Sequence, residues 1–361
     1  VTGSTVSGPP RLDVVGSGGT TARSSAGWAL VTDGTAAVAV GATVAGGFGV
    51  EAAKSFVADE PAGRWWFVLA FVVGLGLVAL GLGLRGRGRR RVRVGIVVTA
   101  ADSRRELSQA RQLEEQATAF SQSTCAVTLR AGIELSQDDV LDPRLVDALA
   151  EETRSGLTMA GRLAPDAARV NLIPTMRLHV GFWFGARLGH THAREVMVHA
   201  MRQGNGSPAY FPAVSLRVGA LGAEPLIVDR LTAVDDGDPT MVALAVDVQG
   251  FGDQFFDQVQ AACRQYGIGY VLRLRRSSTD RLNEDTETFS GVVEQTCRAW
   301  RAAPLPEGAR NGRHAIFLNG PVAIAVALGA RLAAPEHDRW TAFTRTQGGS
   351  AYEPFPALSR P

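Results

Sequence analysis

The sequence predicts an α/β protein built from two Rossmann-like units, preceded by an α-helical transmembrane hairpin. Three observations predict it. Residues 65–84, WWFVLAFVVGLGLVALGLGL, carry no charge over the ~20 residues a bilayer-spanning helix needs, and they run into the arginine-rich RGRGRRRVR of residues 85–93. Beyond residue 92, short β-branched runs alternate with helical periodicity in the order strand, helix, strand, and this order starts again at residue 240. The two stretches also share residues at a constant offset, the mark of an internal duplication.

Taken in order, residues 1–26 are rich in Gly, Ser, Thr and Pro, with little apolar material to bury, and read as a flexible segment. Residues 27–91 form a two-helix transmembrane region. Its first span, about 34–50, is the weaker, because Ala and Gly contribute little to insertion and Asp33 must sit at the headgroups. A signal peptide fits this run less well, since it begins late and has no basic flank close to the start. The second span, about 65–84, opens on Trp65 and Trp66, which suit a membrane interface, and closes on arginines that place the following chain in the cytoplasm. The short turn at residues 51–64 is then external. Small residues in both runs, among them Gly41, Gly49, Gly74 and Gly81, permit close helix packing or are merely tolerated in lipid.

The remainder, 92–361, divides into a first unit at about 92–217 and a second at about 240–361. In the first, a buried parallel strand at 92–100 leads to a helix at 102–122, in which Leu107, Ala110, Leu113, Ala117 and Phe120 recur at helical spacing behind Asp102 or Ser103 as N-cap. A strand at 125–130, a helix at 143–162 and a strand at 169–175 follow. The second unit repeats them at 240–248, 251–267, 270–275, 283–301 and 314–320. GARL occurs at residues 185–188 and again at 329–332, and QGNGSPAYFPAVSL at 203–216 matches QGGSAYEPFPALS at 347–359. The apolar run at 322–334 is too short to cross a bilayer and has a counterpart in the first unit. It reads as a buried helix entered through the turn Asn319-Gly320-Pro321, with Pro in the first helical turn.

A formal net charge of +2 excludes a polybasic nucleic-acid binder, so no DNA partner is expected. Cys125, Cys263 and Cys297 have no CxxC spacing and read as buried thiols in a reducing compartment. The first strand is not followed by GxGxxG, and GxxxxGK[ST], GxSxG and HExxH do not occur. His190 and His192, with Glu195 nearby, have a spacing that does not put both imidazoles on one helix face, and they read as part of a solvent-facing loop. No catalytic residue, metal or cofactor is therefore expected. What remains is binding chemistry in the turns at the carboxyl ends of strands, where an open α/β sheet takes its ligands. The candidates are Thr99, Ala100, Ser103 and Arg104, Thr175 and Arg177, Gln249 and Gly250, and Asn319, Gly320 and Pro321. Backbone N–H groups there can take phosphate oxygens and the arginines can pair with phosphate charge, although each turn alone also reads as an ordinary βα connection.

FLNGPVAIAVALGARL, followed by Tyr352-Glu-Pro-Phe-Pro-Ala, resembles the closing segment of SAVED domains, the cyclic-oligonucleotide sensors of bacterial antiphage signalling (CBASS). The resemblance covers roughly residues 92–361. It implies a SAVED domain of two fused CARF-like halves and adds Tyr352 to the candidate ligand-binding residues. It also implies a ligand, a cyclic tri- or dinucleotide made by a partner nucleotidyltransferase. With the hairpin in the effector position, the chain is expected to be a non-enzymatic, multi-pass receptor of the bacterial inner membrane with its SAVED domain in the cytoplasm. Ligand would drive homo-oligomers that disrupt the membrane and abort infection. The first half departs from the motif, having Pro174-Thr175-Met176-Arg177 where the second has Leu318-Asn319-Gly320-Pro321. Two alternatives stand beside this reading: a membrane-tethered nucleotide-degrading enzyme of ring-nuclease type, and a ligand-free membrane scaffold.

Overall fold

The computed structural model describes residues 11–15, 42–43, 69–79, 93–100, 107–133, 141–165, 167–202, 209–217, 224–277, 281–346 and 351–356. The chain divides into two units: Ser17–Val92, and Val1–Gly16 together with Arg93–Pro361. In the first of these, residues 69–79 are helical, and Leu69, Val72, Val73 and Leu75 are each about half exposed. Among the described residues no helix is long and apolar enough to cross a membrane. Of the expected spans, only 42–43 and 69–79 fall within the described residues. The rest of both spans lies outside them.

The larger unit holds two sheets. In the first, β1 (Arg11–Val15), β2 (Val94–Ala100), β3 (Val127–Ile133), β4 (Arg169–Thr175), β5 (Glu195–Met201) and β6 (Tyr210–Ser215) lie in the order β1-β3-β2-β4-β5-β6. The second contains β7 (Leu226–Val228), β8 (Thr232–Ala233), β9 (Asp238–Asp247), β10 (Ile268–Arg276), β11 (His314–Asn319), β12 (Trp340–Arg345) and β13 (Tyr352–Phe355). Its order is β13-β12-β11-β9-β10-β7, with β8 also pairing β10. Every residue of β2 is buried, as the continuous apolar run VGIVVTA requires of a strand covered on both faces. The helices are α1 (Leu107–Thr124), α2 (Pro143–Leu163), α3 (Leu178–Leu188), α4 (Asp253–Gln265), α5 (Thr286–Ala302) and α6 (Val322–Leu328).

Local chemistry sets the helix starts. Asp142 accepts the Arg144 N–H at 2.9 Å and Pro143 takes the first helical position of α2. Asp285 caps α5 by accepting the Thr288 N–H at 2.7 Å, which moves its start past the expected residue 283. Pro321 is the N-cap of α6, with φ −71° and ψ 143°, one position earlier than expected. The helix expected to continue to 334 is α-helical only to Leu328, and a π turn, Gly329–Ala333, follows.

The duplication holds strand by strand. The order β3-β2-β4-β5-β6 matches β10-β9-β11-β12-β13, with the last strand antiparallel in each half. Registers agree as well: Val170 faces Val196 as His314 faces Trp340, and Met201 faces Tyr210 as Arg345 faces Tyr352. Residues 11–15 correct one expectation. Within the segment read as flexible they form β1, antiparallel to β3, in the place that β7 takes beside β10. The β3 edge supplies hydrogen-bonding partners, and Leu12 covers Gly156 of α2, where a Cβ would lie 3.3 Å from its Cδ1.

The repeated GARL has a packing cause. A Cβ on Gly185 would lie 2.0 Å from the carbonyl oxygen of Val326, and one on Gly329 would lie 2.0 Å from that of Phe182. Each glycine thus lets its helix touch the other's backbone, and the contact is reciprocal about a pseudo-twofold axis between α3 and α6. The arginines two residues on are equivalent too. Arg187 pairs with Asp147 of α2 at 2.7 Å and Arg331 with Glu294 of α5, each inside its own half. All three cysteines are buried free thiols, as expected.

Candidate functional site

The turn after β9 begins the site. Asp247, fully buried, accepts the N–H groups of Gly250 at 2.8 Å and Gly252 at 2.7 Å, together with the Asn319 side-chain amide at 2.8 Å. Both glycines have left-handed φ, +79° and +59°. One carboxylate therefore folds QGFGD into a tight arch, ties it to the end of β11, and lifts Phe251 to its tip, where the ring is 53% exposed.

Beside this arch lies a cleft of about 830 Å³ at the carboxyl ends of the strands. The first half contributes Met176, Arg177, Leu178 and His179, from the turn into α3. The second contributes Phe251, Gln254 and Gln258, then Asn319 and Gly320, then Thr344, Arg345 and Thr346 at the end of β12. Among the described residues the lining holds two arginines and three amide side chains and no carboxylate, so it suits an anionic ligand with hydrogen-bonding edges. The exposed Phe251 ring offers a stacking face. The volume lies inside the ~300–1,000 Å³ common for small-molecule sites.

Of the candidates from sequence, Arg177, Asn319, Gly320 and Tyr352 line this cleft. Tyr352 is only 3% exposed, stands edge-on to Phe317 with ring centroids 5.0 Å apart, and has its phenol pushed up to about 12 by burial. It forms the floor. Gln249, Gly250 and Pro321 adjoin the cleft without lining it: Gly250 shapes the arch and Pro321 caps α6. Thr99, Ala100 and Thr175 do not belong to it. Thr99 and Ala100 are buried at the end of β2, and the Thr99 and Thr175 hydroxyls bond each other at 2.8 Å. Ser103 and Arg104 lie outside the described residues.

Sequence reasoning missed Gln254, Gln258, Arg345 and the organising Asp247; Phe251 lies in the turn it singled out at Gln249 and Gly250 but was not itself named. Phe251 was legible as an apolar residue held between two glycines in a turn. Arg345 was not, because its counterpart across the duplication is Met201, and a repeat read from identities passes over the positions where the halves differ. The loop expected at His190 and His192 is present between α3 and β5, but the two rings do not simply face solvent. Both are partly buried and bond backbone carbonyls, His190 that of Ala330 in the second half at 2.9 Å and His192 that of Gly189 at 3.0 Å.

No protein-family model and no curated protein matches the chain. Solved structures do. A Cap4 SAVED/CARF-domain containing receptor from Acinetobacter baumannii, determined with the cyclic trinucleotide 2'3'3'-cAAA, is 11% identical over 81% of this chain and 58% of its own, with a TM-score of 0.42. The same receptor with 3'3'3'-cAAA is 10% identical with the same TM-score and coverage. A Cap4 SAVED/CARF-domain containing receptor from Moraxella osloensis is 11% identical over 89% of this chain and 75% of its own, with a TM-score of 0.38. The chain spans 58% of the length of the Acinetobacter receptors.

Proposed function

We propose that this chain is a SAVED-type receptor that binds a cyclic oligonucleotide in the cleft and does no chemistry on it. The observation that carries the reading is the lining: Arg177 from one half and Arg345 from the other belong to a cleft whose described residues include no carboxylate, beside the exposed Phe251. Guanidinium groups pair with phosphates, amides read base edges, and a phenyl ring stacks on a base. The closing motif at residues 317–332 and 352–357 supports the same class of ligand through its resemblance to SAVED domains.

The second part of the proposal is an anchor. The uncharged run at 65–84, with tryptophans at one end and arginines at the other, holds the receptor in the bacterial inner membrane with its sensing unit in the cytoplasm. A partner nucleotidyltransferase supplies the ligand, bound receptors assemble into homo-oligomers, and clustered membrane segments breach the bilayer and abort phage infection. Titration of the full chain in detergent with cyclic di-, tri- and tetranucleotides tests the first part. Binding of one ring that weakens in Arg177→Ala and Arg345→Ala supports it, and no binding by folded protein sinks it. Leakage of dye-loaded liposomes carrying the chain, with and without the bound ring, tests the membrane step.

A further inference from the structure

The proposed membrane segment is joined to the sensor at two points of one sheet. Seen from the sequence, it precedes the sensor as a separate module. The sheet pairing gives a different arrangement, because β1 lies before the segment in the chain and inside the sensor in the fold.

Val15 at the end of β1 is in register with Thr128 of β3, and Gly95 near the start of β2 is in register with the same Thr128 on its other side. The chain therefore leaves the sheet at Val15 and returns at Val94 only two strands away, roughly 10 Å at the ~4.8 Å strand spacing. Both points lie at the amino ends of β2 and β3, whereas the cleft opens at the carboxyl ends. The second half makes the equivalent step, from β7 to β9, with residues 229–237. In the first half the same step takes 78 residues, 16–93.

We infer that residues 17–92 are a membrane-inserted loop of the first CARF-like half that crosses the bilayer an even number of times, and that two crossings, at about 34–50 and 65–84, make the pair. This rests on the membrane reading above and deepens it. Strands in one ladder share one compartment, so a single crossing between Val15 and Val94 is incompatible with the β1-β3 pairing. The exposed Leu69, Val72, Val73 and Leu75 of the 69–79 helix, within an uncharged run flanked by arginines, commit one crossing to lipid. Parity then demands the second, and the weak 34–50 run is the segment that supplies it. The strand also means that a cut at residue 92 does not leave the sensor whole, since it removes β1 and bares the β3 edge.

The test uses the full chain in its own membrane. In one variant the register partners Asp13 and Arg130 become cysteines, Asp13→Cys with Arg130→Cys, and mild oxidation is followed by a gel. In a second, Ser55→Cys in the turn at 51–64 is challenged in spheroplasts with a membrane-impermeant maleimide, the three native thiols being buried. A third, Asp13→Cys alone, receives the same maleimide before and after lysis. A 13–130 disulfide, Ser55→Cys labelled from outside, and Asp13→Cys labelled only after lysis are the expected results. Asp13→Cys labelled from outside, or no disulfide in membrane-retained chain, overturns the inference while leaving the anchor intact. A disulfide with Ser55→Cys labelled only after lysis means no crossing, and sinks the membrane reading together with it.

Discussion

Asp247 is fully buried, and its two oxygens hold two backbone donors and one side-chain donor at the edge of the cleft. Asp247→Ala strands those donors, and with about 1–3 kcal/mol per unsatisfied buried group a loss of roughly 2–4 kcal/mol is expected in denaturant unfolding of the full chain. The same change should release Phe251 and weaken ligand binding. Arg345→Ala, at an exposed position at the end of β12, should instead leave stability nearly unchanged, while Arg177→Ala and Arg345→Ala both act on binding. Each is expected to weaken nucleotide binding about 10-fold to 100-fold, the equivalent of a lost charged hydrogen bond, with the Lys variants in between. His199 makes a different case: it is buried beside Phe120, and among the described residues neither ring nitrogen has a hydrogen-bond partner. Burial, aided by the charges of Arg93 and Arg169, lowers its pKa to about 4. Below its unfolded value of about 6.5 the unfolded chain takes up the proton first. Stability contributed here is therefore present above that pH and lost as pH falls toward 4. Register makes Phe343 the counterpart of His199, so His199→Phe should raise stability and flatten the pH 4–6.5 part of the unfolding profile.

Among the elements, the α3-α6 contact is the most demanding, since it brings helix backbones together with nothing but hydrogen between them. Gly185→Ala or Gly329→Ala places a methyl 2.0 Å from a carbonyl oxygen, and either is expected to cost more than about 3 kcal/mol in thermal or chemical unfolding. Much of this level was legible beforehand. The buried strands announced themselves by β-branched runs, the amphipathic helices by their spacing, and the equivalence of the halves by GARL. Three features were not. β1 reads as a coil in isolation, since a five-residue strand owes its order to the β3 edge rather than to its own residues. The π turn after Leu328 follows from the glycine contact, which involves a residue nearly 150 positions away. The cleft draws four residues from one half and most of its lining from the other, so a search for two matching sites looked for a symmetry that the fold keeps and the site does not.

At the scale of the molecule, the larger unit should keep its fold if residues 17–92 are replaced by a short Gly/Ser linker of about six residues, enough to span the roughly 10 Å between the end of β1 and the start of β2. This fusion is expected to melt several degrees above a fragment that begins at Arg93 and to aggregate less, because β3 keeps its partner strand; differential scanning and light scattering compare the two. Its ligand affinity should fall with added salt as the guanidinium–phosphate attraction is screened. The position of β1 also bears on biosynthesis. When residues 11–15 leave the ribosome, β3 is still more than a hundred residues from being made, and on the proposed membrane reading the strand would wait while the intervening segment enters the bilayer. A chain that inserts with its leading strand on the wrong side can never close the first sheet and carries an open, sticky strand edge that invites aggregation and proteolysis. On the proposed membrane reading, completion of one small ladder would act as a proofreading step, because only chains threaded correctly would finish folding the first sheet.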